Sequence, residues 1–153
     1  MGRLRLFGEL IEAGGAIQGV AAGGGHQIAR VVRTAGDYQT TSTSFVDIDG
    51  ANLVINMTTG DSWVLLLLLG SGYTAGAQYA GFDFAIDGAR QGGDFGVQYG
   101  QPMYLQDFQI GTLKQVAAGA HVFKPQYRAN GATVTLRASS QTTPLVFAVI
   151  EMK

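Results

Sequence analysis

Few residues in this chain have the types and spacing that catalysis or metal binding requires. There are two histidines, His26 and His121, and no cysteine. A catalytic zinc commonly takes three protein ligands, so two histidines cannot complete a three-histidine site, and no thiolate is present to act as ligand or nucleophile. His26 borders a run of glycines. His121 alternates with Phe123 and Tyr127 and reads as a packed, hydrogen-bonded side chain. Asp47 with Asp49, and Asp83 with Asp87, could offer oxygen ligands to calcium. Each pair abuts a turn, where aspartate is favoured because it bonds its own backbone, so a structural role is expected.

The remaining chemical motifs fail on their context. Gly70-Ser71-Gly72 with Gly76 follows a hydrophobic run as a phosphate-binding loop would. The segment after it, Tyr79 to Asp87, alternates like a strand, whereas a dinucleotide fold needs a helix whose N-terminus faces the pyrophosphate. No serine sits in a G-x-S-x-G elbow. Asn56-Met57-Thr58 matches a glycosylation sequon, a triplet that arises often by chance. The sequence therefore reads as non-enzymatic, with no catalytic residue, cofactor or metal expected.

Composition points to association instead. Only 14% of the 153 residues are charged, against roughly 25% in an average domain. A chain this poor in charge must cover its surface with small polar residues or hide it against partners, as obligate oligomers do. The net charge is -1, from 10 basic and 11 acidic residues without a basic run, so nucleic acid is not an expected partner. Nor is a membrane. The most hydrophobic run, Trp63 to Leu69, is far shorter than the roughly 20 residues of a membrane-spanning helix. Glu9 and Glu12 interrupt what would be the apolar part of a signal peptide, and Leu6 stands where a myristoylation signal needs Ser or Thr.

The elements that would position these residues are strands. Residues 1–37 hold a short apolar piece (Leu4, Leu6, Phe7, Leu10, Ile11), then glycine-rich chain, then a candidate strand from His26 to Arg33. Few large apolar residues and many glycines predict an arm that orders against a neighbouring subunit or a larger assembly. From Tyr38 onward the period is two. A polar lead-in reaches Phe45 to Asp49, Asp49-Gly50 marks a turn, and Leu53, Ile55 and Met57 alternate with polar neighbours. Trp63 to Leu69 is apolar without a break, as in a strand buried on both faces, either between sheets or at a subunit interface. Gly70-Ser71-Gly72 is expected to close it. Strands then follow at Tyr79 to Asp87, Tyr104 to Ile110, His121 to Arg128, Thr133 to Arg137 and Pro144 to Met152, with Asp87-Gly88 and Asn130-Gly131 as turns. Eight or nine short strands predict an all-β, jelly-roll-like β-sandwich spanning residues 38–153, preceded by an N-terminal arm of residues 1–37. Most aromatics should be core. Tyr73, Phe95 and Tyr99, in the glycine-rich stretch, are candidates for an oligomer contact or a binding surface.

Several of these segments, in order, resemble small jelly-roll domains of bacteriophage virion proteins. The matching residues are Thr40-Thr41-Ser42-Thr43-Ser44-Phe45-Val46-Asp47-Ile48-Asp49-Gly50, the hairpin Ile86-Asp87-Gly88, the late strand from Gly119 to Arg128 and the terminal strand Leu145 to Glu151. Pro125 departs from the pattern and should place that stretch at a sheet edge or bulge. The family is similar in architecture to the tumour-necrosis-factor and C1q jelly rolls, and the resemblance implies a homotrimer located in the virion and assembled in the host cytoplasm. A short arm without repeats suits a decoration, or cement, protein. Such a protein would clip onto the major capsid protein, or another virion protein, through Leu4, Leu6, Phe7, Leu10 and Ile11. The alternative is a receptor- or glycan-binding tip of a tail or head fibre, recognising a host surface glycan through the loops at 73–78 and 92–100. A hydrolase of surface polysaccharide would need paired carboxylates in a groove.

Overall fold

The computed structural model describes residues 17–18, 26–76, 78–100, 106–139 and 143–153. These residues form strands and turns, with no helix among them. In chain order the strands are β1 (Ile17–Gln18), β2 (Gln27–Arg33), β3 (Asp37–Thr40), β4 (Val46–Asp47), β5 (Ile55–Thr59), β6 (Ser62–Thr74) and β7 (Ala80–Ile86). They continue with β8 (Ala89–Arg90), β9 (Gln98–Tyr99), β10 (Gln106–Val116), β11 (Gly119–Ala129), β12 (Val134–Arg137) and β13 (Leu145–Met152).

Several short strands lie end to end as one interrupted row. β12 and β13 both pair with one side of β6, and β3 and β2 pair with their far sides. Sheet I thus runs β1, β2/β3, β13/β12, β6, β10, all antiparallel. Sheet II runs β5/β4, β11, β7, β8/β9. Taken as rows, the chain alternates between the sheets in the order of a jelly roll, as the spacing predicted. β2 extends the sandwich ahead of Tyr38: it pairs with β13 from Gln27 to Arg33, and its Ala29 and Val31 are buried in the core.

Alternation decides which side chains fill the sandwich. Val64, Leu66 and Leu68 of β6 face inward with Phe147 and Val149 of β13 and Ile110 of β10. Opposite them stand Ile55, Phe82, Phe84, Phe123 and Tyr127 of sheet II. Phe84 and Phe147 stack across the two sheets with centroids 6.1 Å apart. Burial of this kind contributes about 1.5–3 kcal/mol per large side chain. The Tyr127 hydroxyl shares that interior, and desolvation pushes its pKa up to about 12.

Two local features differ from the sequence expectation, and one expected turn proves to join the two sheets. Gly70-Ser71-Gly72 does not end β6, which continues to Thr74. Gly70 faces inward, and a Cβ there would lie 2.6 Å from Leu145 Cδ1 and 3.1 Å from Phe108 Cζ, so the glycine makes room for core packing. Pro125 sits in β11, the second row of sheet II, and not at an edge. Its carbonyl accepts from Ile48 N–H at 3.1 Å, so its missing donor faces the same side, where the ladder passes from β5 to β4 and is already broken. Asn130-Gly131 leads from β11 of sheet II to β12 of sheet I; it turns the chain between layers and closes no hairpin.

Two carboxylates fix the ends of the sandwich. Glu151, which strand alternation places on the inward row of β13, is fully buried. It accepts from Gly60 N–H at 2.7 Å and from Ser62 Oγ at 2.8 Å, with Lys153 Nζ 3.8 Å away. Burial opposes its ionisation, but these donors and the lysine outweigh burial and hold the carboxyl below its ordinary range. At the β7–β8 hairpin, Asp87 and Gly88 have φ of 52° and 80°, the geometry of a type I′ turn. Asp87 accepts from His121 Nδ1 at 2.7 Å and from Val122 N–H at 2.8 Å, while His121 Nε2 meets Ala117 O at 2.9 Å. Both ring nitrogens therefore face acceptors, which suits the imidazolium. The Asp87 carboxylate, and then the Ala117 carbonyl, raise the His121 pKa, and His121 lowers that of Asp87.

The two groups act oppositely on stability. A lowered carboxyl pKa gives Glu151 a contribution present above its unfolded pKa and lost as pH falls through the folded one. A raised imidazole pKa gives His121 a contribution complete below about 6.5 and lost as pH rises through its folded pKa. Glu151→Gln should destabilise the fold by about 1–3 kcal/mol at neutral pH, and the loss should shrink in acid, as denaturant titration at several pH values will show. Asp87→Asn tolerates the positive φ and should return the His121 pKa toward about 6.5 in an NMR titration. An unmoved value would remove Asp87 as the cause.

Candidate functional site

The aspartates that the sequence offered as calcium ligands have protein partners. Asp47 accepts from Lys124 Nζ and Gln126 Nε2, each at 2.8 Å, and these bonds outweigh burial to lower its pKa. Asp49 closes its own turn on the N–H groups of Ala51 and Asn52. Asp83 is buried, takes Arg90 Nε at 2.9 Å, and accepts from the N–H groups of Phe84 and Gly92. Among the described residues no group of three His, Asp or Glu side chains could hold a metal ion, and no helix is long and apolar enough to cross a membrane.

The outer faces of the two sheets carry the unusual chemistry. On sheet I, register brings apolar residues side by side across four rows. Ile28, Ile150, Leu65 and Leu113 form one line from β2 to β10. Val32, Val146 and Leu69 form a second, which ends on Gln109, and Ala148, Leu67 and Gly111 lie between them, with Arg30 on the β2 row of that middle line. Trp63 pairs with Met152 at one end, and Tyr73 pairs with Thr135 at the other. Ile28 is 53% exposed, Trp63 48% and Leu113 46%. Scattered exposed apolar residues are ordinary on a protein surface, but a contiguous apolar sheet face marks an interaction site. Trp63 to Leu69 is apolar on both faces because its inner side chains fill the core and its outer ones form this patch.

On sheet II the outer face carries aromatics and cations. Gly81 of β7 pairs with Arg128 of β11 on one side and Tyr99 of β9 on the other. The glycine leaves a gap in the row. A Cβ there would come within 3.0 Å of Arg128 and 3.2 Å of the Phe45 ring, which lie over it. The Arg128 guanidinium carbon is 5.0 Å from the Phe45 centroid, 5.3 Å from Tyr99 and 5.6 Å from Phe95. Arg90 also lies over Phe45, its guanidinium carbon 4.1 Å from the ring centroid. Tyr99 also contacts Tyr79 and Phe95, with centroids 5.4 and 5.1 Å away. Gly96 lets the 91–97 loop close on this cluster: its φ is 84°, and a Cβ would lie 2.3 Å from Phe82 O.

The structure therefore brings Phe95 and Tyr99 together and puts Tyr73 on the opposite sheet. Leu4, Leu6, Phe7, Leu10 and Ile11 lie outside the described residues. Phe45, Arg90 and Arg128, which complete the cluster, were not singled out by sequence. Arg128 sits on the outward side of β11 by simple alternation, but nothing local told that an aromatic residue 83 positions earlier would cover it.

The two glycines should respond differently to substitution. Gly96→Ala meets backbone at an unfavourable φ and should cost about 2 kcal/mol or more. Gly81→Ala meets only side chains that can shift, so its cost should stay within about 1 kcal/mol. Equal losses in thermal or denaturant unfolding would contradict this account of the cluster.

No protein-family model matches the chain, and no curated protein matches it. Among solved structures, the chain is similar to one described as "Structure of infectious bursal disease virus Gx strain". The TM-score is 0.39 at 10% identity, covering 91% of this chain and 45% of that one, so this chain spans less than half of its length.

Proposed function

We propose that this protein is a non-enzymatic structural protein of a bacteriophage virion, a homotrimeric capsid decoration protein attached through its N-terminal arm. The observation that carries the self-association is the apolar outer face of sheet I. Four rows of Ile, Val, Leu, Ala and Trp would stay in water in a monomer, and a second copy with the same face would remove them from it. The low charge of the chain fits an assembly of this kind. The virion, the trimer and the attachment arm rest on the sequence resemblance. A protein that binds only the assembled shell would stabilise it by mass action.

A second reading, a receptor- or glycan-binding tip, is favoured by the aromatic cluster on sheet II. Its ring Phe95 is 60% exposed, and it lies on the sheet that the apolar face leaves free.

The association is tested by light scattering coupled to size exclusion on the full chain. A trimer is expected. Ile28→Lys with Leu113→Lys places charge in two exposed positions of the face, which the monomer fold should tolerate, and should give a folded monomer. A monomeric wild-type chain, or a double variant that still associates, would overturn the reading.

A further inference from the structure

The outer face of sheet II carries three cations with different fates. Arg90 is paired with Asp83 at 2.9 Å, and Lys124 with Asp47 at 2.8 Å. Arg128 has no ion pair and donates no hydrogen bond to any described residue; its Nε is buried and unpartnered. Asp94, the acid beside Phe95 in the covering loop, makes no ion pair with it among the described residues.

Leaving a half-buried guanidinium without a carboxylate is costly unless something compensates. Here three aromatic rings do so in part, through cation–π contacts at 5.0, 5.3 and 5.6 Å. The rings also hold the side chain in place over Gly81, so its fork is oriented before any ligand arrives. The positive charge remains uncancelled. Beside it stand the exposed ring of Phe95 and the partly exposed Tyr79, which form an apolar platform around the cation.

We infer that this cluster is a binding site for a carboxylate-bearing sugar, in which Arg128 takes the carboxylate and the rings of Phe95, Tyr99 and Tyr79 pack against the sugar ring. Arginine is suited to this because its planar donors match a carboxylate two at a time. An aromatic ring offers the apolar C–H face of a sugar a partner without demanding deep burial, and the exposed ring of Phe95 with the partly exposed Tyr79 beside Tyr99 provides such faces. The inference deepens the glycan-binding reading and rests on it for the ligand class. It does not depend on the apolar face of sheet I, which lies on the other side of the sandwich.

The experiment is an NMR titration of the full chain, following the Arg128 Nε–H and the tyrosine rings. The probes are N-acetylneuraminic acid and glucuronic acid, the methyl ester of each, and sodium acetate. Saturable shifts are expected with at least one acidic sugar, and binding at least about tenfold weaker for its ester and for acetate. Arg128→Lys should weaken the acidic sugar, since it keeps the charge and loses the fork. Phe95→Ala removes a largely exposed ring, should leave the fold intact, and should weaken the sugar more than acetate.

Ester binding as tight as the acid would overturn the role of Arg128 and leave a glycan-binding reading standing. Acetate binding as tight as the sugar would overturn the sugar assignment and point to a carboxylate on a partner protein. The absence of any saturable shift would overturn the site as one for acidic sugars, and would leave the oligomer untouched.

Discussion

Strand β6 is the constraint on which the rest of the molecule depends. It is thirteen residues long and pairs on one side with β13 and β12 in succession and on the other with β10. A strand sends alternate side chains to opposite faces, so a run of apolar residues must place half of them away from its own core. Val64, Leu66 and Leu68 are fully buried inside the sandwich. Trp63, Leu65, Leu67 and Leu69 are on the far side, and the neighbouring strands extend the same apolar surface. One face of the strand builds the core, and the other leaves an apolar surface outside it.

Sheet II solves the opposite problem. Its outer face is covered by the chain's own segments: Phe45 and the 91–97 loop lie on it, and Asp83 and Asp47 tie Arg90 and Lys124 against it. Such covering needs close backbone approach, which is why Gly81 and Gly96 sit beneath Phe45. One side of the molecule is closed by its own loops and carries polar and aromatic chemistry. The other, among the described residues, is largely apolar. That asymmetry gives the two outer faces different chemistry.

Much of the fold was legible because period-two alternation states both that a strand is present and which residues point together. It puts Glu151 in one row with Leu145, Phe147 and Val149, and Gly60 and Ser62 supply the donors that permit an acid to be buried there. Turn chemistry was legible at Asp87-Gly88, where both residues adopt positive φ. It misled at Gly70-Ser71-Gly72, since glycine signals a missing side chain equally well when a neighbour needs the space. Pro125 could not be placed from sequence because its tolerance depends on whether the row beside it is continuous there, and that is a property of β4 and β5.

What the sequence determined by itself was local: strand periods, the positions of several turns, and a surplus of apolar residues on β6. Only the tertiary structure decided which strands share a row. Register then assembled Ile28, Ile150, Leu65 and Leu113 into one exposed line, and set Arg128 across Gly81 from Tyr99. These contacts join residues dozens of positions apart, and no local pattern encodes them. They follow from the way two sheets must pair and pack to remove β6's inner face from water.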